Sequence, residues 1–358
     1  RSRATPAPLG GVARSRRVVS PPAARWGEPG PIGGVAQAPV PALACLPGLG
    51  GPTLGGRRPA PGPMERIGEL AALATAFCWV GSALFFAAAG ERVGSLVVNL
   101  VRLVFAIVFL AALTTLTRGQ PLPLDASAHA WAWLALSGLV GFAFGDLCLF
   151  RAFIDLGPRL ATLVMSLAPP VAAVCGWWWL GERLDALDLV GMALTLAGVA
   201  WAVVARPKVV LPRPHRGRGL ALAVLGAIGQ AVGLVLSKLG MGDYDPFAAT
   251  QIRVFAGTAG FALLFTLVGR WGRVRSALRD GAAMRQVALG AVFGPFLGVG
   301  LSLVAVQNTE TGVAASIMAT TPVLIIPFAV LARKEEVPLG GVLGALLAVA
   351  GVVILMLW

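Results

Sequence analysis

Three ionisable residues lie where an apolar sequence makes charge expensive. Asp146 is set in the run from Gly141 to Phe150, while Arg102 and Arg253 each lie a third to half of the way into an apolar stretch, shortly after Asn99 and Gln251. A charge at the centre of a bilayer costs about 3 kcal/mol or more, so such residues are functional candidates by default. For Asp146 two readings stand. Burial and a neighbouring Arg act in opposite senses on its protonation, which suits a switch for proton-coupled transport; alternatively it is a fixed salt bridge or a helix-end carboxylate in the headgroup zone. Arg102 and Arg253 either present guanidinium donors to an anionic or amide-bearing solute, or only hold helices in place, Arg102 on Asp146 and Arg253 on backbone carbonyls.

Gln230, Gln307, Trp79 and Lys238 are further polar or aromatic positions able to line a path, each equally readable as packing or an interface anchor. Lys238 ends its apolar segment and is expected to snorkel. Glu182 and Glu335 stand at helix ends beside Arg183 and Lys334 and read as solvated charge pairs. The triplet Trp177, Trp178 and Trp179 fits an interfacial aromatic belt. The four Cys are Cys45, Cys78, Cys148 and Cys175, with no Cys-x-x-Cys pair, and the two His are His129 and His215. Neither set suggests a metal site, and no clustered acid, His or Cys constellation suggests catalysis, so no cofactor and no enzyme are expected.

The elements that must position these residues are read from an internal repeat. At a fixed offset of 153, Gly141, Gly145, Ala161, Met165, Pro169, Glu182, Gly191, Ala197 and Gly198 fall on Gly294, Gly298, Ala314, Met318, Pro322, Glu335, Gly344, Ala350 and Gly351. An offset of 151 places Arg102 on Arg253 upstream. Asp146, by contrast, falls on Val299. A bilayer crossing needs about 20 apolar residues. Ten segments qualify, at roughly 67–89, 94–117, 130–151, 158–180, 186–205, 218–238, 246–268, 284–306, 311–332 and 338–358. The third and eighth are the least sharply bounded, with Asp146 in one and Gln307 and Asn308 at the end of the other. Five helices per copy is an odd number, so the second copy enters the membrane from the opposite side and the direct sequence repeat becomes an inverted-topology pair. The predicted fold is an all-α membrane protein of ten transmembrane helices in two five-helix inverted repeats. Its units are residues 64–205, a basic linker loop at 206–217, and residues 218–358. Pro169 and Pro322 occupy matching mid-helix positions where each removes a backbone hydrogen bond, and both are candidate hinges. Small residues at four-residue spacing, as in Gly141/Gly145 and Gly229/Gly233, let helix backbones approach closely.

Composition agrees with a lipid environment. Apolar residues make up 57% of the chain and charged residues 13%, and the mean hydropathy is +0.81. Of the formal charge of +13, residues 1–63 supply eight Arg against the single Glu28, which leaves +6 on the rest, an ordinary loop bias that gives no ground for a nucleic-acid partner. Residues 1–63 are rich in Pro, Gly, Ala and Arg and read as a disordered or mis-assigned extension, with Met64 as the expected natural start. The apolar run 36–50 is broken by Pro39, Pro41 and Pro47 and makes a poor signal peptide. Lys and Arg concentrate in the connections 1/2, 3/4, 5/6, 7/8 and 9/10, which places those connections in the cytoplasm and both termini outside.

The run from Leu156 through Pro169 to Leu184, followed by Gly191 to Ala200, resembles the drug/metabolite transporter superfamily in its ten-helix form with two EamA domains. Ala319-Thr320-Thr321-Pro322, Lys334-Glu335-Glu336 and Gly344 to Val353 carry the likeness into the second copy, which departs from the usual Leu-Gly-Glu by having Arg333-Lys334-Glu335. The resemblance covers roughly residues 66–358. It implies a secondary transporter, exporter or permease, that moves small organic metabolites by alternating access in the cell membrane, with a solute and the lipid bilayer as its partners. A non-transporting membrane scaffold and a lipid-modifying membrane enzyme are the alternatives.

Overall fold

The computed structural model describes residues 63–156, 158–205, 216–325 and 338–357, and within them every regular element is helical. The first repeat runs α1 (Pro63–Val93), α2 (Ser95–Arg118), α3 (Ala128–Gly138), a π-helical turn (Leu139–Gly145), α4 (Asp146–Asp155), α5 (Pro158–Met165), α6 (Ala168–Cys175), a second π turn (Gly176–Leu180) and α7 (Ala186–Ala205). The second runs α8 (Arg216–Met241), α9 (Pro246–Val268), α10 (Trp271–Ala277), α11 (Gly281–Ala291), a third π turn (Val292–Gly298), α12 (Val299–Asn308), α13 (Thr311–Met318) and α14 (Leu339–Leu357). Nine of these, taken singly or joined, are long and apolar enough to cross a bilayer among the described residues, and Thr311–Ile325 is a shorter apolar helix. Predicted spans 186–205 and 246–268 match α7 and α9 in full. The third and eighth spans run on to Ala128–Phe153 and Gly281–Asn308. Residues 1–62, Lys208, Arg213, Arg333, Lys334, Glu335 and the rest of 326–337 lie outside the described residues. One element went unread in the sequence: α10, a short basic helix in the connection between the seventh and eighth spans.

Local chemistry sets several boundaries. Ser127, Asp245 and Asp280 accept hydrogen bonds from the backbone N–H of Ala130, Ala248 and Ala283, capping α3, α9 and α11, each worth about 1 kcal/mol. Gly119 and Gly269 close α2 and α9 in the left-handed conformation, φ 70° and 65°, which only glycine adopts freely. Inside the spans, Thr75, Thr195, Thr250 and Ser316 donate to the carbonyl one turn back, satisfying their hydroxyls without a partner helix.

The repeat is visible in the backbone. The π turns Leu139–Gly145 and Val292–Gly298 stand at the same 153 offset, and π geometry is rare enough that a matched pair marks a built feature. In the second, Pro295 cannot donate to an α-helical ladder; the first has Phe142 in its place and forms the same turn without proline. The fourth span is interrupted at Ser166 and Leu167, and the ninth at Ala319 and Thr320, again 153 apart. From sequence Pro169 is a mid-helix residue that bends its span; in the structure Pro169 instead follows a break in the helix. It sits in the first turn of α6, where the absent N–H has no intrahelical partner to lose. The interruption just before it is closed by i to i−3 bonds, Ser166 N–H to Leu163 O at 3.1 Å and Leu167 N–H to Val164 O at 3.0 Å.

Packing explains which parts of the repeat persist. Lipid gives no apolar reward for helix association, so close contact must supply it. Gly198 and Gly344 face each other across α7 and α14: a Cβ on Gly198 would lie 2.3 Å from Ala348 N, and one on Gly344 2.4 Å from Ala202 N. Gly233 and Gly229 of α8 approach Gly141 and Gly145 closely from one side, a Cβ on Gly233 lying 2.9 Å from Gly141 Cα and one on Gly229 3.0 Å from Gly145 Cα. The outward faces carry large apolar side chains, Trp178 at 77% exposed and Leu267 at 76%, a surface suited to acyl chains. Gly198→Ala and Gly344→Ala should each lower the melting temperature of the purified protein by several degrees, about 2 kcal/mol of overpacking. Gly90→Ala, with nothing within 4 Å of its added Cβ, should leave it unchanged or raise it.

Candidate functional site

Arg102 and Arg253 are each the eighth residue of their helix, α2 and α9. Because the repeats are inverted, a rise of about 1.5 Å per residue puts each about 10 Å in from an opposite end of the bundle. Asp146 is the first residue after the π turn and begins α4. One of its oxygens accepts a charge-assisted hydrogen bond from Arg102 Nη2, and the other accepts from Gln230 Nε2 of α8 at 2.8 Å. Gln230 Nε2 also donates to Gly141 O at 3.1 Å, so the amide reads the π turn and the carboxylate together. Arg102, Asp146 and Gln230 thus join the second, third and sixth spans, across the boundary between repeats. The salt bridge expected between Arg102 and Asp146 is present.

Arg253 does not rest on backbone carbonyls. It is 5% exposed, its guanidinium lies 5.1 Å from the centre of the Phe142 ring, and its Nε and Nη1 have no hydrogen-bond partner. It remains within electrostatic reach of Asp146. Arg102 is held in a similar way, 5.4 Å over Phe86, with Nε unpartnered. Asn99, one turn before Arg102, is fully buried with both amide atoms unpartnered. Orphaned buried donors are uncommon and call for an explanation.

The other sequence candidates are placed elsewhere or symmetrically. Trp79 is the offset-151 mate of Gln230 and lines Gly298 as Gln230 lines Gly145, its Cδ1 2.8 Å from where a Cβ would lie. Half of the pseudosymmetric centre is therefore polar, Asp146 with Gln230, and half apolar, Val299 with Trp79. Gln251 donates to Pro121 O at 2.8 Å and Gln307 to Gly242 O at 2.8 Å and Tyr244 O at 3.1 Å, so both lace connections at one end of the bundle rather than joining the central cluster. At that end Tyr244 also donates to Asp125 at 2.9 Å, a bond that, with Arg118, holds the Asp125 carboxyl below the usual carboxylate range.

Glu182 corrects the sequence expectation of a solvated rim charge. Its side chain is 9% exposed and pairs with Lys238 Nζ at 2.8 Å. It also accepts from Thr311 N at 2.9 Å and Thr311 Oγ1 at 2.6 Å, capping the start of α13 in the other repeat. A carboxylate there meets the positive end of the helix dipole. Lys238 is bound rather than snorkelling, and donates to Thr309 O at 2.7 Å. The fourth, sixth and ninth spans are fastened at this end by one carboxylate. The recurrence of Glu at the 153 offset was the available signal, but nothing in the sequence named Lys238 as the partner.

Two outcomes follow. Asp146→Leu leaves Arg102 uncompensated and should lose about 3–5 kcal/mol of stability, while the double variant with Arg102→Leu recovers most of it in a thermal double-mutant cycle. Glu182→Gln should speed labelling by a membrane-impermeant maleimide of a cysteine placed at Ala173, where α6 meets Gly312 of α13, over the Cys-depleted background; an unchanged rate means that Glu182 does not fasten these helices together.

No curated protein matches the chain. A solved structure described as "Crystal structure of protein" matches at a TM-score of 0.66 and 20% identity, over 80% of this chain and 95% of that one, and shows the shared fold. The family model "EamA-like transporter family" matches twice, over residues 66–204 and 217–357. With the two matches covering both halves of a ten-helix inverted repeat, the chain belongs to the EamA-like transporter family.

Proposed function

We propose that this chain is a secondary transporter of small organic metabolites that works by alternating access in the cell membrane, with its basic connections in the cytoplasm. The observation that carries the reading is the paired interruption of the fourth and ninth spans beside Pro169 and Pro322. Helices broken at matching depth in inverted repeats give two hinges of equal geometry, one for each side of the membrane. Between them, Arg102, Asp146 and Arg253 form a charged centre where the repeats meet, and the Glu182–Lys238–Thr311 fastening holds one end shut.

Asp146 is the carboxylate of that centre and hence the group on which proton coupling would act. Its protonation releases Arg102 and Gln230 together, a change of local charge large enough to bias two conformations. In proteoliposomes the protein should show saturable flux of a metabolite from a mixed panel, with a pH gradient adding to the rate. Asp146→Asn should remove the pH-gradient component. The absence of saturable flux for every solute overturns the transporter reading; full gradient-driven flux in Asp146→Asn overturns the coupling.

A further inference from the structure

The buried centre is electrically unbalanced. Arg102 and Arg253 bring two positive charges, always ionised, and Asp146 brings one negative. Among the described residues these are the charged ones set deepest in their spans. The repeat shows the origin of the imbalance, since the residue matching Asp146 is Val299, buried at 9% exposure. Arg102 has its carboxylate and Arg253, its counterpart, does not. Arg253 turns one face to Phe142 and keeps Nε and Nη1 unpartnered, nine-tenths buried. Buried guanidinium donors without a partner are satisfied by an anion, and a carboxylate oxygen takes a charge-assisted hydrogen bond from either of them.

We propose that Arg253 is the binding residue for a single carboxylate on the transported solute, which supplies the negative charge that Val299 does not. The proposal rests on the transporter reading and names its substrate class. The charge arithmetic selects a monovalent anion: a carboxylate brings the centre to neutrality, whereas a phosphate dianion would overshoot it. Neutrality also favours exchange. The loaded centre crosses between its two states without net charge, while the empty one carries a surplus positive charge through a medium where charge is costly. Flux of one carboxylate outward should therefore be stimulated by another carboxylate on the opposite side. Asp146, within electrostatic reach of Arg253, repels the solute carboxylate and so lowers its affinity.

The test is thermal unfolding of the purified full chain against sodium propionate, propionamide and inorganic phosphate, at an alkaline pH where phosphate is the dianion and at ionic strength matched with sodium sulfate. Propionate should raise the melting temperature saturably, with neither propionamide nor phosphate doing so. Arg253→Gln should weaken the apparent propionate affinity by ~10-fold or more, the loss expected for a charge-assisted bond. Asp146→Asn should tighten it by about tenfold, which a merely structural role for the cluster would not do; this second variant decides the matter where Arg253→Gln does not fold. Equal stabilisation by propionamide, a response to phosphate in place of propionate, no response at all, or unchanged affinity in both variants overturns the proposal. Saturable flux of a neutral solute without carboxylate binding would sink the substrate class and leave the transporter reading standing. Carboxylate binding without flux of any solute would do the reverse.

Discussion

A bilayer offers helices no apolar reward for meeting, and the assembly described above depends on backbones that can touch. The glycines that recur at the 153 offset are the means. Gly191 and Gly198 lie on α7, Gly344 and Gly351 on α14, and the two helices pack against each other so that each repeat's glycines receive the other's backbone. Such a contact is self-complementary, as in a two-fold symmetric interface. A substitution in one copy is met by an unchanged partner and therefore clashes, so the two copies of this stretch are held alike. The contact of Gly141 and Gly145 with Gly233 and Gly229 is of another kind, since the offset-151 mates of Gly233 and Gly229 are Ser82 and Cys78; there the close approach belongs to one copy and brings Gln230 near enough to reach Asp146.

Where no such contact constrains the copies, they have diverged, and the divergence is concentrated at the centre. Asp146 opposite Val299 and Gln230 opposite Trp79 turn two formally equivalent pockets into one that is polar and one that is not. Burial of unlike charges is tolerated because Arg102 and Asp146 are hydrogen-bonded as well as paired, the condition under which a low-dielectric ion pair offsets its desolvation. The scaffold is symmetric and the chemistry is not.

Much of this was legible in the sequence because its carriers are periodic. Apolar runs gave the spans, the offset gave the inversion, and the cost of buried charge singled out Arg102, Asp146 and Arg253. What stayed hidden was of a different kind. Glu182 looked solvated because its chain neighbour Arg183 is basic, yet its partners Lys238 and Thr311 are 56 and 129 positions away and are found only through folding. Gln251 and Gln307 looked like path residues because they are polar in apolar helices; each instead satisfies loop carbonyls that would otherwise end unpaired. The π turns left no trace in the hydrophobic period, since one extra residue shifts a helical face too little to read.

That extra residue has a mechanical meaning. A π turn is a single-residue insertion in an α-helical register, and an insertion can be passed along a helix, one bond exchange at a time, without unwinding it. Each residue of register is about 100° of rotation. Moving the insertion from the N-terminal side of Asp146 to its C-terminal side would swing that carboxylate by more than a quarter turn while the two ends of the helix stayed where they are. The third and eighth spans, each with its insertion at the same height, are in that sense screws rather than levers.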